Sequence, residues 1–173
     1  MITRLLLTLC CLWIAVASLD AQVQDTILFP GLEGDALAAE LKAGFYPNTV
    51  LSYGLARDIM YGDIYNINDS VYCVYTGHRL YVDPGSDPST FLYQNGSPDG
   101  INCEHTWPRS KGAAEGPAFS DMHHLFPSRA QVNEARSNFP YAEIDDEQTF
   151  YWYVNAERSG QKPTNNIEAY SEY

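Results

Sequence analysis

The sequence predicts an α+β fold in one domain, and three observations carry that expectation. Two early segments repeat apolar residues at helical spacing, several short β-branched and aromatic runs are separated by turn residues, and residues 100–138 read as strand, loop, strand, helix. A chain of 173 residues is long enough for one substantial core. It contains no internal repeat, low-complexity tract or domain linker.

Residues 5–17 (LLLTLCCLWIAVA) form an apolar run behind Arg4 and lead into small residues up to Ala21. That pattern reads as a secretory signal peptide over residues 1–21, too short and wrongly flanked for a stable membrane span. The mature chain, 22–173, is then expected to be exported (extracellular or periplasmic) and free of the membrane, with Cys10 and Cys11 removed. Cys73 and Cys103 remain, and an even count in an oxidising compartment predicts one disulfide between them.

Residues 22–34 lead into the domain without clear periodicity. Asp35 is placed to cap a helix over 36–43, with Leu37 and Leu41 on one face and Gly44 as its stop. Pro47-Asn48-Thr49 restarts the chain, and Leu51, Leu55, Ile59 and Met60 define a second amphipathic helix over 51–61, ending at Gly62. Residues 71–75 and 80–82 read as strands joined by a turn at Thr76-Gly77-His78, which makes His78 a turn residue. Residues 83–100, rich in Pro, Gly, Ser and Asp, read as a long loop. A strand at 102–106, a loop at 112–117, a strand at 121–126 and a helix opened by Pro127-Ser128 and running to about Ser137 complete the central unit. Residues 149–154 (TFYWYV) are an aromatic strand, and the tail from Ser159 to Tyr173 is polar and irregular.

The net charge of −12 argues against a broadly basic nucleic-acid-binding surface. Its distribution is uneven. Between His105 and Asn138 four basic residues (Arg109, Lys111, Arg129, Arg136) face three acidic ones (Glu115, Asp121, Glu134), and much of the acid lies elsewhere, as at Glu143, Asp145, Asp146 and Glu147.

Three of the four histidines lie in the central unit, beside Glu104, Asp121 and Asn133. Phosphodiester hydrolysis needs a base to activate water and a cation to stabilise charge on the phosphate. His105 suits the base, because neutral imidazole accepts a proton near pH 7. Glu104 and Asn133 offer hard oxygen ligands of the kind Mg²⁺ accepts while keeping several waters. Arg109, Lys111 and Arg136 are candidate phosphate contacts. Each has a plainer reading: His123 and His124 as strand residues, Asn133 as a surface helix residue, Arg136 with Glu134 as a solvated pair. Because neighbours on a regular strand face opposite ways, Glu104 and His105 can share a site only where the strand is irregular, as Pro108 allows. A zinc hydrolase using His105, His123 and His124 is a second enzyme reading. A secreted binding or adhesion module with an inactive nuclease-like site is a third.

The combination of Cys-Glu-His-Thr-Trp-Pro at 103–108, Ser-Asp-Met-His-His-Leu at 120–125 and Val-Asn-Glu-Ala-Arg-Ser-Asn-Phe at 132–139 resembles the endonuclease I family, secreted or periplasmic nucleases built on a ββα-metal (His-Me) finger. The resemblance implies such a finger, with flanking helices and a small antiparallel sheet. It implies His105 as general base, Glu104 and Asn133 as ligands of one divalent ion, usually Mg²⁺ with Mn²⁺ as a substitute, and a catalytic part for Arg109 and Arg136. The activity implied is sequence-nonspecific cleavage of DNA, and often RNA, by a monomer that contacts backbone phosphates and leaves a 5′-phosphate. There are two departures. The family's arginine in a longer loop after the histidine has no convincing counterpart, leaving Arg109 or Lys111 to substitute. The family's basic C-terminal helical segment is also missing, so the end at Tyr173 reads as a truncation.

Overall fold

A computed structural model describes residues 28–173 except Asn95; the expected signal peptide lies outside the described residues. The chain divides into two compact units between Tyr46 and Pro47, where Pro47-Asn48-Thr49 interrupts the first helix pattern. In the first unit α1 spans Gly34–Phe45, and Phe29 meets Phe45 edge-on at 6.4 Å. Asp35 in its first turn and Lys42 in its last complement the helix dipole. The N-cap is Glu33, not Asp35, and the helix runs through Gly44.

The second unit has mixed helix and small antiparallel sheets, as the α+β expectation requires. Ser52 caps α2 (Tyr53–Ile59), its hydroxyl accepting from the Leu55 N–H. A π-turn, Met60–Ile64, follows, closed by Tyr65 N–H on the Met60 carbonyl at 2.8 Å, and it buries Met60 and Tyr61 in succession. The core joins Ala56, Met60 and Tyr61 to Val71, Val82, Leu92, Ile101 and Leu125. Burying each large apolar side chain of this set contributes about 1.5–3 kcal/mol.

Strands β1 (Ser70–Tyr72) and β2 (Arg79–Tyr81) pair antiparallel across the expected turn, with Gly77 at φ +72°. His78 is a buried turn residue bonded to the Asp99 carbonyl. The stretch expected as one long loop contains a helix, α3 (Pro88–Tyr93). Asp87 caps it by accepting from Thr90 N–H at 2.8 Å and Pro88 supplies the first-turn φ, so loop-type composition was a capping signal.

β3 (Ile101–His105) pairs antiparallel with β4 (Leu125–Arg129), with Glu104 opposite Phe126 and His105 opposite Leu125, and α4 (Ala130–Arg136) follows at once. Gly100 opens β3 in a tight place, because a Cβ there would stand 2.7 Å from the Gly96 carbonyl oxygen. β4 begins four residues later than expected. Asp121 Oδ1 accepts from the His123 N–H at 3.0 Å, which folds 121–124 into a turn. Pro127-Ser128 therefore lies in the strand, where the Pro127 carbonyl accepts from Val74 N–H at 3.0 Å. The first N–H groups of α4 are satisfied by the Gly100 and Pro98 carbonyls instead of a side-chain cap.

β5 (Trp152–Val154) lies between β6 (Glu157–Ser159) and β7 (Ser171–Glu172). The tail is thus not irregular: β7 is the third strand of this sheet, and Tyr173 exchanges backbone hydrogen bonds with Tyr151. The expected disulfide is absent, and both cysteines are free. Cys103 faces the groove described below, whereas Cys73 is buried with its sulfur 4.0 Å from the Ser128 hydroxyl. No described helix is long and apolar enough to cross a membrane.

Candidate active site

A groove of about 700 Å³ opens where the end of β3 meets α2 and α4, and Glu104, His105, Arg109, Asn133 and Arg136 all line it. The two neighbours on β3 reach it while anchored on different sides. His105 packs against Tyr53 and Phe119, and Glu104 against residues of α4 and the segment after it. The strand end lets both serve one site.

His105 is 5% exposed, and its Nε2 lies 3.1 Å from the Phe119 carbonyl. A carbonyl only accepts, so Nε2 carries the proton and Nδ1 keeps its lone pair. Burial lowers the imidazole pKa from 6.5, the Phe119 bond opposes this, and the charges of His124 and Arg109 add to the lowering. The ring is therefore a neutral proton acceptor at pH 7. The 3-10 turn Pro117–Phe119 organises both inner histidines, because the preceding carbonyl, that of Ala118, accepts from His124 Nε2 at 2.7 Å.

Glu104 is 2% exposed. Its Oε1 accepts from Tyr75 at 2.6 Å and Tyr141 at 3.1 Å, and Arg136 Nε stands 3.1 Å away. The Arg136 Nε–H is not aimed along a hydrogen-bond line, so this attraction is Coulombic. Burial raises the Glu104 pKa above 4.5, while the two phenols and Arg136 act in the opposite sense. All three side-chain partners crowd Oε1, and among the described residues no side chain donates to Oε2.

Asn133 Nδ2 donates to Asn102 Oδ1 at 2.7 Å and to the Cys103 carbonyl at 3.3 Å. The second bond fixes which way the amide faces, since a backbone carbonyl cannot donate. Asn133 Oδ1 is left without a protein donor among the described residues. A carboxylate oxygen and an amide oxygen, each spared by its own anchors, fit the donor chemistry of a hard divalent cation.

Arg136 is placed differently from a phosphate contact. It is 4% exposed, and besides Glu104 its guanidinium donates to the Thr106 carbonyl at 2.9 Å and the Ser137 carbonyl at 2.8 Å. Its geometry is that of a buried brace for the Glu104 carboxylate. Glu134, its suggested partner, instead accepts from Ser97. Arg109 is exposed at the mouth, its guanidinium 5.0 Å over the Phe119 ring, and Lys111 does not line the groove. The three histidines do not share one site: the His105 and His124 rings lie 5.7 Å apart, but the His123 side chain is 97% exposed beside Asp121. Among the described residues no three His, Cys, Asp or Glu side chains gather as a metal cluster, which removes the ligand set a zinc hydrolase would need.

Sequence reasoning missed Tyr75, Tyr141, Tyr53, Phe119, Asn102 and Arg57. The two tyrosines on Glu104 lie 29 and 37 residues from it, so no local spacing could reveal them.

A small α+β scaffold thus brings an imidazole, a carboxylate and an amide together in one groove. The chain belongs to the endonuclease I family, whose model, described as Endonuclease I, matches residues 34–172. It is therefore a member of a nuclease family, with nucleic acid as the substrate that membership implies. No curated protein and no solved structure matches the chain.

Proposed function

We propose that the protein is an exported, metal-dependent, sequence-nonspecific endonuclease that hydrolyses phosphodiester bonds of DNA, with β3, β4 and α4 as its ββα-metal finger. The observation that carries this is the His105 tautomer. With Nε2–H spent on the Phe119 carbonyl, Nδ1 remains the proton acceptor of a residue that lines the groove together with Glu104 and Asn133. Nδ1 takes a proton from the attacking water, the water oxygen bonds to phosphorus, and the P–O3′ bond breaks to leave a 5′-phosphate and a 3′-oxyanion that takes a proton from solvent water to become the 3′-hydroxyl.

Glu104 and Asn133 would hold one Mg²⁺, or Mn²⁺ in its place; when bound, the ion supplies Lewis-acid stabilisation of charge on the phosphate and leaving oxygen. Arg136 keeps Glu104 ionised and oriented, acting through it as a positioning residue. Arg109 is the phosphate contact at the mouth. These are groups that read phosphate, not base edges, which accords with nonspecific cleavage. The apolar run at 5–17 supports export, and the protein works as a monomer on chains that pass through an open groove.

Nicking of supercoiled plasmid by the purified protein tests the reading. Cleavage in Mg²⁺ that EDTA abolishes, on plasmids of unrelated sequence, is the expected result. A folded protein that nicks nothing with Mg²⁺ or Mn²⁺ would refute it and leave a binding module.

A further inference from the structure

A second cation faces the groove from the α2 wall, and the reaction outlined above does not use it. Arg57 stands near the end of α2 and lines the groove with Tyr53, Asn102 and His105. Its guanidinium lies 4.7 Å over the Tyr53 ring, Tyr53 stacks on Phe119 at 4.3 Å, and Arg109 lies 5.0 Å over Phe119. The four side chains form one stack in the order cation, ring, ring, cation. His105 packs against both rings, at 5.5 Å from Tyr53 and 5.8 Å from Phe119.

The chain treats its other inward-facing arginines differently. Arg129 is paired with Asp99 at 2.8 Å and Arg136 with Glu104 at 3.1 Å. Among the described residues no carboxylate comes within ion-pair distance of Arg57, and its Nε is buried without a hydrogen-bond partner. Asp87, whose carboxyl feels the Arg57 charge only weakly, is committed to the Thr90 N–H. Arg109 and Arg158 are also held on ring faces without a carboxylate partner, but of these three arginines only Arg57 has its Nε buried without a hydrogen-bond partner among the described residues. Ring-face attraction orients such a group but does not satisfy its N–H donors. An oxygen-rich anion entering the groove would.

We propose that Arg57 is a phosphate-binding residue that seats the nucleotide next to the scissile one on the α2 side, so that Arg57 and Arg109 hold neighbouring backbone phosphates on either side of His105. The inference rests on the nuclease reading of the groove. Arg57 does not touch the reacting atoms, so it is a positioning residue and its loss falls on binding. A guanidinium recognises phosphate bidentately without reading the base, so the ligand class is any phosphodiester chain.

The test pairs nicking kinetics in Mg²⁺ with binding of a labelled single-stranded 12-mer in EDTA over a range of salt. Arg57→Ala is expected to raise KM on the order of tenfold with kcat within about twofold, the loss of one charge-assisted bond. It should also flatten the log K against log salt slope by about 0.7, one phosphate contact on a single strand. Arg57→Lys should restore the slope but only part of the affinity. Arg158→Ala removes the same charge from β6, where the guanidinium lies 4.6 Å over the Tyr151 ring, and should change neither quantity. A KM and slope for Arg57→Ala equal to those of the parent or of Arg158→Ala overturn the proposal, as does a loss confined to kcat. If Arg57→Ala does not fold, the KM of Arg57→Lys decides. A parent that cleaves normally with Arg57-insensitive KM sinks this inference alone; a parent that cleaves nothing sinks the nuclease reading, and the 12-mer slopes still judge Arg57.

Discussion

Replacing Arg136 by methionine keeps much of the volume but strands the Glu104 carboxylate in a site where both side chains are nearly sealed from water. Breaking a buried ion pair by removing one partner costs about 3–5 kcal/mol. Tyr75 and Tyr141 still donate to Oε1, so the lower end of that range, about 3 kcal/mol, is expected for Arg136→Met. With a urea m-value of about 2 kcal/mol/M, the unfolding midpoint should fall by roughly 1.5 M. Glu104→Gln leaves the arginine without its counter-charge and should also destabilise. The double variant leaves neither charge alone, so the cycle should return a favourable coupling of about 2 kcal/mol. Urea titrations of the four proteins in EDTA measure it. A cost below about 1 kcal/mol for Arg136→Met, with coupling near zero, would show that Arg136 does not brace Glu104.

Other expectations follow from single contacts. Gly100→Ala must displace the Gly96 carbonyl, which a Cβ would approach to 2.7 Å, and should cost about 1–3 kcal/mol by urea unfolding. Because the His105 pKa lies below 6.5, its neutral form is present above that pKa and lost below it. Cleavage in Mg²⁺ should therefore rise with pH through a midpoint under 6.5 and then level off, and a bound cation pushes the midpoint the same way. A midpoint above 7 in kcat/KM would contradict a buried neutral base. Mg²⁺ at 100 times its dissociation constant should stabilise the parent by about 2.7 kcal/mol, read as a rise in Tm, and Asn133→Ala should lose most of that rise.

Local chemistry made part of this molecule legible. The order Glu104-His105, then Asn133 and Arg136 at helical spacing, marked residues that do share a groove, because β3 and α4 are contiguous stretches with recognisable periods. The strand-neighbour objection to Glu104 and His105 assumed a strand with two separated faces; here the strand ends at His105 and the groove wraps its tip. Boundaries failed where a side chain competes with the ladder, as Asp121 does in turning 121–124 away from β4. Proline misled in both directions: Pro127 sits in a strand because its carbonyl is wanted by Val74, and Pro88 starts a helix inside an apparent loop. The tail was illegible because β7 is held by backbone bonds to β5, which side-chain polarity does not report. A carboxylate from another element meets Arg136 and none meets Arg57 among the described residues, and no spacing rule carries that information.

Single-turnover cleavage of supercoiled DNA by saturating protein in Mg²⁺, parent beside His105→Ala, bears most directly on the central claim. Removing a general base should slow the chemical step about 10²–10⁴-fold while the variant stays folded and still binds the 12-mer. A His105→Ala protein that cleaves at the parental rate would place the proton acceptor elsewhere and overturn the account.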